Sequence, residues 1–298
     1  MPRIQLWILR RAFRILGIDH RNIGFLVQNF QLISLVDFFE PRIVSFDYID
    51  NAFGFRKLPR HMHNMWLKTL NRSEVITVTS PTLKRQVEAA GSVHPHLIPN
   101  GVEYETFSLS DGIERPSDLP QGNPVVGYIG AVNTWFDFDL LRYLLSTMPE
   151  RNFVVIGREH PETRRSLNSL SSFRNFFFLG FRPYKTIPSY LIHFNAGIIP
   201  FKKNELTGAV NPVKLYEYSA AGVPTVTTDF SEDLKEFENL IFVAHSHNEF
   251  ATHLEKAMVL RRNATFIEKL DAFARENDWN ARADTLAALI EQRLQSRQ

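Results

Sequence analysis

The chain has no cysteine among its 298 residues, which excludes disulfides, thiolate nucleophiles and cysteine-ligated metals. It also has little net charge. Thirty-four Lys and Arg against 32 Asp and Glu leave +2, so no polyanion surface is implied and no nucleic-acid partner is expected. No apolar run approaches the ~18 residues of a membrane span. Arg10, Arg11 and Arg14 interrupt the apolar stretch that a secretory signal would need. A Walker loop is absent, and Gly127 to Gly130 lacks the GxGxxG spacing, so ATPase and dehydrogenase readings have no support. What these absences leave as the expectation is a reduced, cytoplasmic protein.

What is present is alternation. Apolar content of 44% and charged content of 22% are those of an ordinary globular protein, and a chain this long buries about 75% of its unfolded surface and has room for two domains. Residues 4–16 read as a helix with Ile4, Ile8, Ala12, Ile15 and Leu16 on one face. Strands are expected at 23–27, 43–48 and 75–79, with helices at 32–39 and 61–71. A linker rich in Ser, Asp, Pro and Gly runs over 108–123. Six more strands are expected near 124–129, 152–156, 175–179, 195–199, 223–228 and 240–244. The alternation predicts an α/β fold: parallel sheets flanked by helices, with ligands at the carboxyl ends of the strands.

Residues 204–228, NELTGAVNPVKLYEYSAAGVPTVTT, carry the most information. Asn211 reads as an N-cap and Pro212 as the first helical residue, where its missing N–H costs nothing. Gly222 stops the helix, Pro224 blocks its continuation, and a β-branched strand follows. Lys214 and Glu217, three apart, lie close together near the helix start. A cation beside free N–H groups at a helix N-terminus cradles a diphosphate, and an acid one turn deeper accepts from a ribose diol. The bland alternatives are a solvated lysine and its surface i,i+3 partner.

This segment resembles the donor-site helix of GT-B glycosyltransferases of the family 4-like group, the glycosyl transferases group 1. The chain is also similar to that group at LIPNGVEYETF (97–107), VVGYIGAVNTWFDFD (125–139), NFVVIG (152–157), LGFRPY (179–184) and FARENDWNAR (273–282), in order and over about two thirds of its length. The teichuronic acid-type enzymes look nearest. The resemblance implies two Rossmann-like domains: a shortened acceptor-side domain over 1–110, a linker at 111–123 and a nucleotide-sugar domain over 124–278. A last helix, 279–298, would cross back to the first domain. It implies a nucleoside diphosphate sugar, UDP more than GDP, as substrate, with no cofactor and no metal. The acceptor would be a saccharide or lipid-linked saccharide of the cell surface, met at the inner face of the cytoplasmic membrane. The implied donor-binding residues are Gly130, Asn133, Arg158, Arg182, Asn211, Lys214, Leu215 and Glu217. The implied base is Asp50, just past a strand end, against the alternative of a turn-forming Asx residue.

The chain departs from the group in places. Its first domain shows about three strands where a Rossmann-like half has five or six, and the first βα unit with its glycine-rich loop has no counterpart. The group's second acid, eight positions before Glu217, is Ala209 here, which leaves sugar recognition to Asn204, Glu205 or Asn211. The Arg and Lys that usually follow Gly130 are replaced by Ala131 to Trp135, with Asn133 and Trp135 as stand-ins or Trp135 as a core plug. These departures keep open a non-catalytic module that holds a nucleotide or a partner. A UDP-N-acetylglucosamine 2-epimerase shares the fold, but its N-terminal signature is not seen. Asp137 and Asp139 imitate a metal-binding DxD, yet they open a helix, where acids cap N–H groups. His94 and His96 lack further ligands, and His61, His63 and Asp47 read as surface or structural. The first helix, with Arg3, Arg10, Arg11 and Arg14 among Trp7, Phe13 and Ile15, either packs on the N-terminal sheet or rests on an anionic membrane as a peripheral contact.

Overall fold

The computed structural model describes residues 3–55, 59–92, 94–108 and 112–296, apart from the side chains of Arg3 and Phe55. Residues 109–111, at the junction assigned to the first domain and the linker, lie outside the described residues. The chain divides into two compact units. One comprises 1–99, 209–211 and 282–298; the other comprises 100–208 and 212–281.

The first unit holds a four-stranded parallel sheet in sequence order: β1 (Gly24–Val27), β2 (Ile43–Tyr48), β3 (Val75–Val78) and β4 (His96–Leu97). The sequence led us to expect three strands; β4, of two residues, is too short to show a period. Helices Ile33–Phe39, Arg60–Arg72 and Pro81–Ala89 supply Val36, Trp66, Leu83 and Val87 to a core with Phe46 and Val78 of the sheet. Ser80 caps the last of these helices by accepting from the Leu83 N–H, and its own hydroxyl donates to the Ala209 carbonyl at 2.9 Å.

The first helix, Arg3–Ile15, packs on this unit, but through the face opposite to the expected one. Leu6 is buried, and the Phe13 ring meets Phe39 at 5.0 Å between centroids. Ile4, Ile8 and Ile15, the stripe read as core from its spacing, are 74%, 55% and 76% exposed. The helix has two apolar stripes, and periodicity alone does not choose between them.

The second unit holds a six-stranded sheet, all of whose paired strands are parallel: β5 (Val125–Ile129), β6 (Asn152–Ile156), β7 (Phe176–Gly180), β8 (Ala196–Ile199), β9 (Thr225–Thr228) and β10 (Ile241–Ala244), in the order β10-β9-β8-β5-β6-β7. All six fall where the alternation put them, within two residues. Strand order reverses between β5 and β8, and open parallel sheets bind ligands at the carboxyl ends beside such a reversal. Helix Val213–Ala220 lies between β8 and β9 in the chain. It ends on Gly222 at φ +63°, with Val223 N–H bonded back to the Tyr218 carbonyl at 2.7 Å.

Candidate functional site

The site is built on the ends of β5, β6 and β7, where two glycines let three loops interlock. Gly130 N–H donates to the Ile156 carbonyl and Gly157 N–H to the Gly180 carbonyl, each at 2.9 Å. Gly130 sits at φ +145° and Gly157 at φ +152°, a region that side chains make costly. A Cβ on Gly157 would stand 1.9 Å from the Gly130 carbonyl oxygen. Two fully buried tyrosines fix the same turn. The Tyr128 hydroxyl donates to the Ala131 carbonyl at 2.8 Å, and the Tyr218 hydroxyl accepts the Ile129 N–H at 2.9 Å.

Against this turn rests Lys214. A Cβ on Gly130 would meet Lys214 Cε at 2.4 Å and Nζ at 2.7 Å, so the absent side chain is what admits the lysine. Its Nζ lies 5.4 Å from the ring centres of both Tyr128 and Phe201. Among the described residues it makes no hydrogen bond and no ion pair. Burial lowers its pKa, and the Glu217 carboxylate only partly opposes this. Burial likewise raises the Glu217 pKa, with Lys214 opposing and Glu103 reinforcing. Desolvation thus outweighs the attraction between the two, and both are left short of a partner for their charge.

The helix does not start as the sequence suggested. Pro212, at ψ 114°, is the N-cap rather than the first helical residue, Asn211 lies one position before it, and no side chain caps the helix. Pro212 is extended rather than helical, so the cap falls one residue later than Asn211. The start of Val213–Ala220 is therefore open to an anion in a way an Asn cap would have blocked. Leu215 is also displaced from the role the resemblance gave it: its side chain is buried and its N–H already donates to the Pro212 carbonyl at 3.0 Å.

A cavity of about 450 Å³ opens here, with Gly130, Arg158, Arg182, Lys214 and Glu217 in its lining. Of the expected donor residues, these five come together. Asn133, Asn211 and Leu215 do not line it. Asn133 forms a turn, accepting the Thr134 N–H with its own side chain. Arg158 lies over Phe181, its Cζ 4.3 Å from the ring centre. Arg182 lines the wall but is engaged in bracing it, donating to Asp118 at 2.5 Å, to the Tyr190 hydroxyl at 3.0 Å and to the Phe181 carbonyl at 3.0 Å. Phe181 and Tyr184 also line the cavity. Both lie within the quoted LGFRPY motif, yet nothing in their residue type singled them out.

In the first unit, Asp50 borders a separate cavity of about 360 Å³, with Gln28, Asn29, Gln31, Phe30 and Tyr48. It is exposed, yet the wall beside it withdraws enough water to push its carboxyl above the ordinary aspartate range. Asp47 is tied into the sheet by Thr77 at 2.7 Å and Gln28 at 3.1 Å, a structural role. Asp137 caps helix Phe138–Thr147 by accepting from the N–H groups of Asp139 and Leu140. Ala209, where the group carries an acid, is buried in the core of the first unit. Among the described residues, no group of three or more His, Asp or Glu is placed to hold a metal ion, and no helix is long and apolar enough to cross a membrane.

Residues 123–259 match the family profile of glycosyl transferases group 1. The chain is similar to TuaH of Bacillus subtilis, a glycosyltransferase named for teichuronic acid biosynthesis, with 30% identity over 72% of this chain and 56% of that protein. It is also similar to the 2-deoxystreptamine N-acetyl-D-glucosaminyltransferase of Streptomyces fradiae, with 27% identity over 41% of this chain and 29% of that one. The chain thus spans about half, or less, of the length of these curated relatives. Among solved structures, Anabaena HepE in complex with UDP superposes with a TM-score of 0.73 at 15% identity, over 94% of this chain and 81% of that one. Sucrose-phosphate synthase of Thermosynechococcus elongatus superposes with the same score at 16% identity, over 96% and 76%. At such identities the superpositions establish the fold, which is GT-B.

Proposed function

With residues 123–259 a glycosyl transferases group 1 domain on a GT-B scaffold, we propose that the protein moves a sugar from a UDP-sugar to a saccharide acceptor of cell-surface polysaccharide synthesis. One observation carries this: the half-buried Lys214 ammonium, with no hydrogen bond or ion pair among the described residues, sits at an uncapped helix start in a cavity that also holds Glu217. A diphosphate there would give the lysine the counter-charge it lacks and accept from the open N–H groups. Glu217, one turn deeper, would take the ribose hydroxyls. UDP as the nucleotide is supported by HepE, a neighbour in fold solved with UDP and with UDP-glucose.

The acceptor hydroxyl attacks the anomeric carbon of the sugar, and the bond from that carbon to the diphosphate oxygen breaks. UDP departs with the electron pair, stabilised by Lys214 and the helix dipole. The hydroxyl proton goes to a base, the role the resemblance gives Asp50, whose carboxyl burial holds above the ordinary aspartate range. No metal enters this scheme.

A second reading has its own observation in favour. Where the group has a sugar-contacting acid, this chain has Ala209, packed in a core, which fits a module that binds nucleotide without chemistry. Incubation with UDP-sugars and polysaccharide fragments, read as UDP release coupled to a glycosylated product, separates the two. Release with product supports transfer; UDP binding without product supports the module; no UDP binding removes both.

A further inference from the structure

Beyond the sugar-transfer site, the first helix presents a surface with no role in the fold. We infer that the outward face of helix Arg3–Ile15, formed by Ile4, Trp7, Ile8 and Ile15 with Arg10, Arg11 and Arg14, lays the protein on an anionic lipid bilayer.

The helix is held to the first unit by its other side, through Leu6 and the Phe13–Phe39 ring contact. The fold is therefore complete without the outward face, which still carries four large apolar side chains. Trp7 is 58% exposed, and Leu16, just past the helix end, is 69% exposed. A contiguous apolar patch of this kind marks a contact surface rather than ordinary surface scatter.

Charge selects the partner. Residues 1–18 contain four arginines and no acid; the first is Asp19. Arg10 and Arg11 lie over the rings of Phe38 and Trp7, at 5.5 and 5.7 Å, and none of Arg10, Arg11 and Arg14 forms an ion pair among the described residues. Arg11 falls within the apolar stripe itself. A second copy of this helix face would desolvate that guanidinium without a carboxylate in return, since residues 1–18 carry none. At a bilayer surface its long stem lies along the apolar layer while the charge reaches lipid phosphates. An in-plane helix about 20 Å long with isoleucines below and a tryptophan at the headgroup level matches the interfacial type.

Sedimentation with lipid vesicles tests this without any sugar donor, so its outcome is independent of the transferase reading. The full chain should pellet with vesicles containing phosphatidylglycerol, not with pure phosphatidylcholine, and should be released by salt. Arg10→Gln, Arg11→Gln and Arg14→Gln together should weaken binding roughly a hundredfold. Ile8→Glu with Ile15→Glu should abolish it. Because those side chains are exposed, the melting temperature should hold; in wild type, brominated lipids should quench fluorescence that Trp7→Phe removes. Equal pelleting with neutral and anionic vesicles, no pelleting, or variants that bind like wild type would each overturn the inference. So would concentration-dependent dimers that Ile15→Glu converts to monomers in the absence of vesicle binding.

Discussion

Replacing Lys214 with methionine keeps the stem that fills the space against Gly130 and removes only the charge. Lys214 makes no hydrogen bond or ion pair within the described fold, so the change should leave the unliganded protein folded, with a melting temperature within a few degrees of wild type. UDP should bind far less well. A charge-assisted hydrogen bond contributes about 1.5–3 kcal/mol. At about 1.4 kcal/mol per tenfold, the dissociation constant should rise roughly 10- to 150-fold by titration calorimetry. The pH dependence has a definite sign. Burial, opposed by Glu217, lowers the Lys214 pKa below the ordinary lysine value. The buried ammonium therefore costs stability below that lowered pKa, and the cost disappears as pH rises towards the unfolded value of about 10.4. Diphosphate favours the ammonium, so UDP binding should weaken as pH rises through the same lowered pKa, and Lys214→Met should lack that limb. An unchanged UDP affinity would refute the reasoning. So would an affinity loss matched by a melting temperature many degrees lower, since misfolding would then account for it.

The other expectations concern neighbouring groups. Asp50→Asn should leave UDP affinity unchanged while lowering product formation by about 10²- to 10⁴-fold, as measured by coupled UDP release; activity near wild type would remove the base role. Gly130→Ala, at φ +145° and against Lys214, should lose UDP binding and about 1–3 kcal/mol in urea denaturation. Gly157→Ala should be worse, because its Cβ meets backbone rather than a movable side chain. In Asp118, burial alone would raise the pKa, but hydrogen bonds from Arg182 and Tyr190 hold it below the ordinary range. The stability this gives is present above the unfolded value and is lost as pH falls through the folded one. Arg182→Ala should thus cost about 1 kcal/mol or less at neutral pH and flatten the acid limb of a melting-temperature profile.

The sheet was legible because a parallel strand buried on both faces reads as a short apolar run. NFVVI and IVSFDY sit where the sequence placed them. The nearness of Lys214 and Glu217, which line one cavity without an ion pair, was legible from spacing, and Gly222 from its role as a helix stop. Other features depend on information that neighbouring residues do not carry. Asn211 has the chemistry of a cap, but the extended backbone of Pro212 moves the helix start past it. The first helix has two apolar stripes, and only the packing of Phe13 on Phe39 tells which one is inside. Arg182 looked like a free fork of donors because its partner, Asp118, is 64 positions away in the chain. Phe181 and Tyr184 are placed by the end of β7, which spacing along the chain does not reveal.

The close approach of Gly157 to the Gly130 carbonyl has a bearing on engineering. Gly157 cannot acquire a side chain while the Gly130 loop keeps its path, and a side chain at Gly130 would displace the Lys214 stem. A library that randomises either position would mostly sample broken scaffolds. On the proposed function, altered donor preference is better sought among Arg158, Phe181 and Tyr184, whose side chains edge the same chamber.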